Sequence, residues 1–325
     1  MTAFFIRRLM QAGLVVAVMS VIVFFGVNVV GNPVDILVSP EADQAERARI
    51  IREFGLDQPV WQQYLLFLKG VAQGSLGRSF VHGESALKLI LERMPATVEL
   101  ALAALIMAIV IGIPLGLYAG VRPAGRISKA IMAGSILGFS LPTFWVGLML
   151  IMVFAVNLGW LPSTGRGATA SVLGISTSLV TADGLAHVLL PAFNLALLKI
   201  SLVVRLTYAG AREASQQDYI KFARAKGLSE RRIVGVHLLK NIMIPVVTVL
   251  GLEFGNLLAF SVVTETIFAW PGMGKLLIDS ILLLDRPVVV AYLIVIVLAF
   301  LAINFVVDAL YSALDPRVRL KDAGS

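Results

Sequence analysis

The sequence predicts an all-α membrane protein, with six transmembrane helices and a small external helical cap after the first. Three observations lead there. Hydrophobic residues make up 58% of the 325-residue chain and charged residues 14%, with a mean hydropathy of +0.89, which is more apolar material than one soluble core can hide from water. The apolar residues gather in six runs, each near the roughly 20 residues needed to cross a bilayer. The connections between runs alternate between strongly basic and balanced, the pattern that sets orientation in a membrane.

The runs cover about 9–30, 97–120, 130–158, 186–206, 242–264 and 288–309. The first follows Arg7 and Arg8, a charge layout shared with secretory signal peptides, but the run to Val30 is too long and no small-x-small cleavage site follows. It reads as an uncleaved first span. The next connection, 31–96, repeats apolar residues at helical spacing in Ile50, Ile51 and Phe54, then in Trp61, Tyr64, Leu65 and Leu68, so it is expected to fold as a helical cap. Pro142, Pro191 and Pro245 fall within the third, fourth and fifth runs. Each removes a backbone donor and kinks or starts a helix. Within a bundle such kinks either line a cavity or only shape the packing. The stretch Gly167–Gly184, rich in Gly, Ser, Thr and Ala, is expected to be a loop or a surface hairpin. Domain organisation follows as 1–30 for the amino-terminal stub and first span, 31–96 for the cap, 97–312 for the core with spans two to six and a cytoplasmic segment near 215–240, and 313–325 for a cytoplasmic tail.

Orientation comes from lysine and arginine. Arg122, Arg126 and Lys129 lie between spans two and three without an acid; Arg205, Arg212, Lys221, Arg224, Lys226, Arg231, Arg232 and Lys240 lie between spans four and five against Glu213, Asp218 and Glu230; Arg317, Arg319 and Lys321 follow span six. These connections are expected inside, and both termini with them. The net charge of +7 is thereby a matter of topology and membrane lipid, not of nucleic acid, since aromatic residues do not interleave with the basic ones.

Several function classes drop out. The chain has no cysteine, which excludes disulfides, thiolate metal sites and cysteine nucleophiles. His82, His187 and His237 lie far apart, so no metal site is expected. No GxxxxGK[ST] loop is present, so the chain does not cradle nucleotide phosphates itself, and no His-Glu-x-x-His or Gly-x-Ser-x-Gly points to a hydrolase. No catalytic residue is assigned, and no internal repeat of the kind found in many secondary transporters is visible.

The most informative stretch is Asp218–Pro245, DYIKFARAKGLSERRIVGVHLLKNIMIP. Good helix formers from Tyr219 to Lys226 are followed by Gly227, a left-handed stop, and by Ser229 with Glu230, which are expected to open a second helix by capping its amides. That second helix places Ile233, Val236 and Leu239 on one side and Arg231, Arg232 and Lys240 elsewhere. A helix, a corner and an amphipathic helix can present a knob to a partner or lie on anionic lipid. Inside the predicted spans, Lys199 and Glu253 are ionisable residues that each cost about 2.5–3.5 kcal/mol at a helix centre unless paired or wet. They are candidates for facing a passage, with a structural pair or snorkelling as the alternative. Asp308, near the end of span six, reads as a partner of a nearby basic group or as a backbone cap.

Lys221-Phe-Ala-Arg-Ala-Lys-Gly227 resembles the EAA loop of ABC importer permeases, and the wider pattern DYI..ARAKGLS.RR....H..KN..IP resembles its dipeptide/oligopeptide/nickel version. Lys221 and Phe222 replace the usual Glu-Ala opening, and the proline expected near Lys240 stands at Pro245. FFIRRL at 4–9, GLDQPVWQQY at 55–64, GSLGRS at 74–79, RMPATVEL at 93–100, ETIFAWPGMGKLL at 265–277 and VDALYSALDPRVR at 307–319 are also similar to that family, in order along nearly the whole chain. Gly31-Asn32-Pro33 departs from its Gly-Asp-Pro. The short amino-terminal stub fits the B-type subunit.

The resemblance implies the type I ABC importer permease fold and one half of a solute pathway. It implies a C-type permease partner, two ATP-binding subunits that hold ATP and Mg, and an external solute-binding protein, with nothing bound directly as cofactor. Asp218, Tyr219, Ala223, Arg224, Ala225, Lys226, Gly227 and Ser229 would contact the ATPase, the small ones admitting a partner surface. Lys199, Glu253 and Pro142 would line the pathway. Glu265, Phe268, Trp270, Pro271 and Gly272 would form an external gate or receptor contact, although Trp270-Pro-Gly reads equally well as an interfacial turn. An ion-coupled secondary transporter, with Lys199 and Glu253 as the coupling pair, is the competing reading.

Overall fold

A computed structural model describes residues 2–29, 31, 33–38 and 43–314; the side chains of Arg7 and Asp308, together with Asn32, Arg317, Arg319 and Lys321, lie outside the described set. The chain divides into two compact units, Met1–Thr97 with Pro271–Leu301, and Val98–Trp270 with Ala302–Ser325.

In the first unit, α1 (Thr2–Val29) is followed by α2 (Val34–Leu37), α3 (Gln44–Glu53) and α4 (Val60–Ala72). The Asp43 carboxylate accepts from the Glu46 amide at 2.7 Å and starts α3. The helical spacing in the cap is borne out, with a different inward set: Trp61, Leu65 and Leu68 are exposed, and Tyr64 turns toward α1. Its ring lies 5.2 Å from Phe24 and 5.6 Å from Phe25, and its hydroxyl is 2.9 Å from Ser20 Oγ. The unit also holds the beginning of α5 (Ala86–Val121). Later in the chain it contains α13 (Met273–Leu282) and the beginning of α14 (Arg286–Leu314). Arg286 donates from Nη1 to Asn28 Oδ1 at 2.6 Å and from Nη2 to the Gly31 carbonyl, a cation answering acceptors at the carboxyl end of α1.

In the second unit α5 approaches α8 (Ala182–Ser215) closely. Gly112, Gly116 and Gly120 repeat every four residues and form one stripe on α5. A Cβ on Gly116 would stand 2.6 Å from the Val204 carbonyl oxygen, and one on Gly120 would stand 2.7 Å from the Tyr208 carbonyl oxygen. Only glycine permits that backbone approach.

The predicted third span, 130–158, is not one straight helix. It comprises α6 (Arg126–Ser140) and α7 (Thr143–Leu150), the latter continued by a wider π-helical stretch Ile151–Asn157, bent by 105° at the break. Pro142 is the cause: the residue before a proline is pushed out of the helical region, and Leu141 is extended, with φ −78° and ψ 133°. Pro191 and Pro245, by contrast, sit within continuous helices. Among the described residues, five helices are long and apolar enough to cross a membrane, and counting the bent pair as one span gives the six that the hydropathy predicts.

The Gly167–Gly184 stretch contains a two-stranded antiparallel hairpin, β1 (Ala170–Val172) and β2 (Ile175–Thr177), with Leu173 at its tip in the left-handed region at φ +52°. It is held at its base by an ion pair between buried Glu99 and half-buried Arg166. Glu99 Oε2 accepts from Arg166 Nη2 at 2.5 Å, Glu99 Oε1 accepts from the Ser178 amide at 3.1 Å, and Arg166 also reaches the Ser176 carbonyl at 2.8 Å. Thr181 then caps α8 by accepting from the Gly184 amide at 3.0 Å.

Candidate functional site

Three clusters hold the residues singled out from the sequence. The first begins after α8 with a short helix, α9 (Asp218–Ala225). Ile220 and Ala223 are buried on its inner side in a cluster with Ala211, Ala214, Ile233, Leu238 and Ile242, while Asp218, Tyr219, Phe222, Arg224 and Ala225 stay exposed. This split corrects one expectation: Ala223 is a footing inside the chain, whereas Ala225 and Gly227 are the small residues left open. Gly227 has φ +76° with nothing within 4 Å of an added Cβ, so it is present for its backbone, not for space.

Polar contacts brace the corner. Arg224 Nε and Nη2 donate to the two carboxylate oxygens of Glu230 at 2.7 and 3.3 Å, across Gly227. This charge-assisted pair raises the Arg224 guanidinium above its ordinary value. Lys221 donates to Asp218 at 2.9 Å, and that hydrogen bond, with the ammonium charge behind it, lowers the Asp218 carboxyl. Lys226 stands 4.5 Å over the Phe222 ring, and Asn241 donates to the Tyr219 hydroxyl at 2.8 Å. The Arg224–Glu230 clamp and the Tyr219–Asn241 bond were not read from sequence, because both close across a change of chain direction.

The second helix of the segment differs from its expected form in two ways. Ser229 takes the extended N-cap conformation, yet its side chain caps nothing; the neighbouring Glu230 carboxylate is turned to Arg224. Nor is it a separate surface helix. α10 (Glu230–Arg232) runs through a π-helical stretch, Ile233–Leu238, into α11 (Leu239–Phe260). The wider turn brings residues five apart onto one side, so Ile233 and Leu238 are buried and Val236 is 54% exposed. A 3.6-residue period misassigns that face.

The second cluster is Lys199 on α8 and Glu253 on α11. Their side chains form an ion pair, each less than one-fifth exposed, and Asn256 donates to the other Glu253 oxygen at 3.3 Å. The structure thus brings together two residues 54 positions apart. Pro142 is exposed at the α6–α7 break.

The third lies around α12 (Val262–Ile267). Glu265, Phe268 and Trp270 are at most 1% exposed. Ser261 Oγ donates to Glu265 Oε1 at 2.9 Å, the Trp270 amide donates to the Glu265 carbonyl at 2.8 Å, and the Gly165 amide donates to the Phe268 carbonyl at 2.9 Å. Ala269 is in the left-handed region at φ +45°. Gly272 is buried and Pro271 half-buried. In this chain, therefore, the stretch is packed inward as a shaped turn. Asn194 Nδ2 donates to Thr264 Oγ1 at 3.0 Å and ties α8 to α12.

The geometry describes a helical membrane protein with a braced, exposed corner between two long spans and a charged pair between the same two helices. Residues 112–320 match the family described as binding-protein-dependent transport system inner membrane component, and residues 1–101 match the corresponding amino-terminal family. The chain is 39% identical to the di/tripeptide transport system permease protein of Pseudomonas aeruginosa, over 91% of this chain and 95% of that one. It is 38% identical to the dipeptide transport system permease protein of Escherichia coli strain K12 (99% and 100%) and 36% identical to the glutathione transport system permease protein of the same strain (99% and 100%). In three dimensions it is similar to a chain of an inward-facing MetNI methionine ABC transporter, with a TM-score of 0.53 over 70% of this chain and 96% of that chain at 18% identity. That likeness supports the type I fold, and the ion-coupled reading is set aside. The chain belongs to the binding-protein-dependent transport system inner membrane components, as a B-type, multi-pass permease subunit of an ABC importer and a transport component, not an enzyme.

Proposed function

We propose that the chain forms half of the pathway for peptides or related small solutes, and that ATPase subunits grip it at the 218–245 segment. One observation carries the coupling role. α9 offers exposed Tyr219, Phe222 and Ala225 on a buried footing of Ile220 and Ala223, and the chain beyond its glycine corner runs without interruption into a long span. A push on that corner is therefore transmitted to α11, not absorbed in a loop. The relatives' names, which specify di/tripeptides, dipeptides and glutathione, support a peptide-like solute.

The assembly would comprise this chain, a C-type permease, two ATP-binding subunits that carry ATP and Mg, and an external solute-binding protein. Both termini and the 218–245 corner would face the cytoplasm. Lys199 and Glu253, with Pro142 at the helix break, would border the passage, and the Glu265–Gly272 turn would close it or meet the receptor on the outer side. A ligand shifts a two-state equilibrium only by its differential affinity for the states, so the corner must fit its motor in both.

The test is Gly227→Asp in the complete importer in proteoliposomes. There is room for the side chain, and aspartate tolerates the left-handed backbone better than most residues, so insertion and folding are expected to persist while ATP-driven dipeptide uptake is lost. Normal uptake by a correctly inserted variant would contradict the coupling assignment.

A further inference from the structure

A cavity of about 470 Å³ lies within the first unit. Its apolar lining comes from Phe24 and Val27 at the end of α1, Leu66 and Phe67 on α4, and Val290 near the start of α14. The candidate spans Met10–Val29 and Arg286–Val307 end and begin at this level, so the cavity sits where hydrocarbon gives way to headgroups. Only 11% of the apolar window of α1 is buried, against 28–61% for the other long single helices. On α4, Trp61, Leu65 and Leu68 form an exposed apolar stripe, as on helices that lie in an interface.

The polar lining is unbalanced. Arg78, Arg286 and Glu53 line the same cavity, and among the described residues neither arginine forms an ion pair. Arg286 spends its Nη atoms on neutral acceptors, Asn28 Oδ1 and the Gly31 carbonyl, and its Nε is buried without a partner. Arg78 Nε donates to the Gly83 carbonyl. A half-buried guanidinium whose Nη1 keeps a second hydrogen after bonding a neutral acceptor favours an anion.

We propose that this cavity binds an anionic phospholipid, its phosphate at Arg286 and Arg78 and an acyl chain against Phe24, Val27, Phe67 and Val290. The site joins α1, the cap and the last long helix, so the bound lipid would staple the cap to the span ends. A free anion satisfies the arginines but leaves the apolar floor wet; a neutral lipid does the reverse.

The experiment is native mass spectrometry of the purified full chain in detergent with added phosphatidylglycerol or phosphatidylcholine. At about 1 kcal/mol per basic side chain near a lipid surface, with the two arginines partly offset by Glu53 in the same lining, wild type is expected to retain phosphatidylglycerol about fivefold to tenfold over phosphatidylcholine. Arg286→Gln is expected to reduce that ratio to near one, Arg78→Gln to reduce it partly, and Arg286→Lys to keep most of it. Leu66→Trp, which fills the cavity from an exposed helix position, is expected to lose retention of the lipid; because it leaves the arginines in place, it reports on the site even where Arg286→Gln disturbs the cap. Equal retention of the two lipids by wild type, or undiminished phosphatidylglycerol in Leu66→Trp, would overturn the proposal. So would displacement of phosphatidylglycerol by excess inorganic phosphate or by a dipeptide, which would identify a free anion or the solute as occupant.

Discussion

Asp285, in the turn before α14, is bonded to Ser79, 206 residues earlier: its carboxylate accepts from the Ser79 hydroxyl and from the Phe80 amide at 2.9 Å, and it is only 1% exposed. This acid closes the cap onto the start of the last long helix. Removing it orphans one buried and one half-buried donor, the buried one costing about 1–3 kcal/mol and the other less. Asp285→Ala is expected to lower stability by about 2–4 kcal/mol, and Ser79→Ala by about 1 kcal/mol. Thermal unfolding of the purified chain, with limited proteolysis of the 31–96 cap, measures both; equal effects would remove Asp285 from the centre of this network.

The glycine stripe on α5 makes a graded prediction. At Gly116 a Cβ meets the Val204 carbonyl oxygen at 2.6 Å, whereas nothing lies within 4 Å of one at Gly13. Gly116→Ala forces two helix backbones apart and is expected to cost about 1–3 kcal/mol, while Gly13→Ala is neutral or slightly stabilising. Melting temperatures of the two variants in the same detergent decide it, and similar values would contradict the close approach.

The Lys199–Glu253 pair separates a pathway role from a purely structural one. Removing one partner leaves an uncompensated charge in a poorly hydrated place, so Lys199→Met and Glu253→Gln should each be less stable than the double variant. If the pair contacts the ends of a zwitterionic solute, each single variant also changes the ranking of dipeptides against solutes with blocked termini in uptake competition. An unchanged ranking in both would leave only the structural role.

Sidedness can be measured directly because the chain has no cysteine. Single cysteines at exposed Ala225 and at the hairpin tip Leu173, 99% exposed, are expected to react with an impermeant maleimide from opposite faces of the membrane, Ala225 from the cytoplasmic face. Labelling of Ala225 from outside intact cells would reverse the proposed orientation and remove the coupling role with it.

Much of the fold was legible because hydropathy and glycine act locally. The six apolar runs reappear as helices, and Gly227 adopts the left-handed backbone that ends α9. Less legible were features that join distant residues or break the usual helical period. The 105° bend at Pro142 needed the geometry of Leu141. The π-helical turn moved Val236 to the surface and Leu238 into the core. Glu99 with Arg166, and Asp285 with Ser79, could not be paired from their spacing.

By itself the sequence determined the solvent of this protein, the apolar runs long enough to cross a membrane and its family, because these depend on composition, period and short motifs. Tertiary structure alone decided which small residues face inward, which acid answers which base, and where a charged cavity opens beside the span ends. Those outcomes depend on packing between segments tens to hundreds of residues apart, where the free energy of a contact is set by burial and geometry that no local pattern encodes.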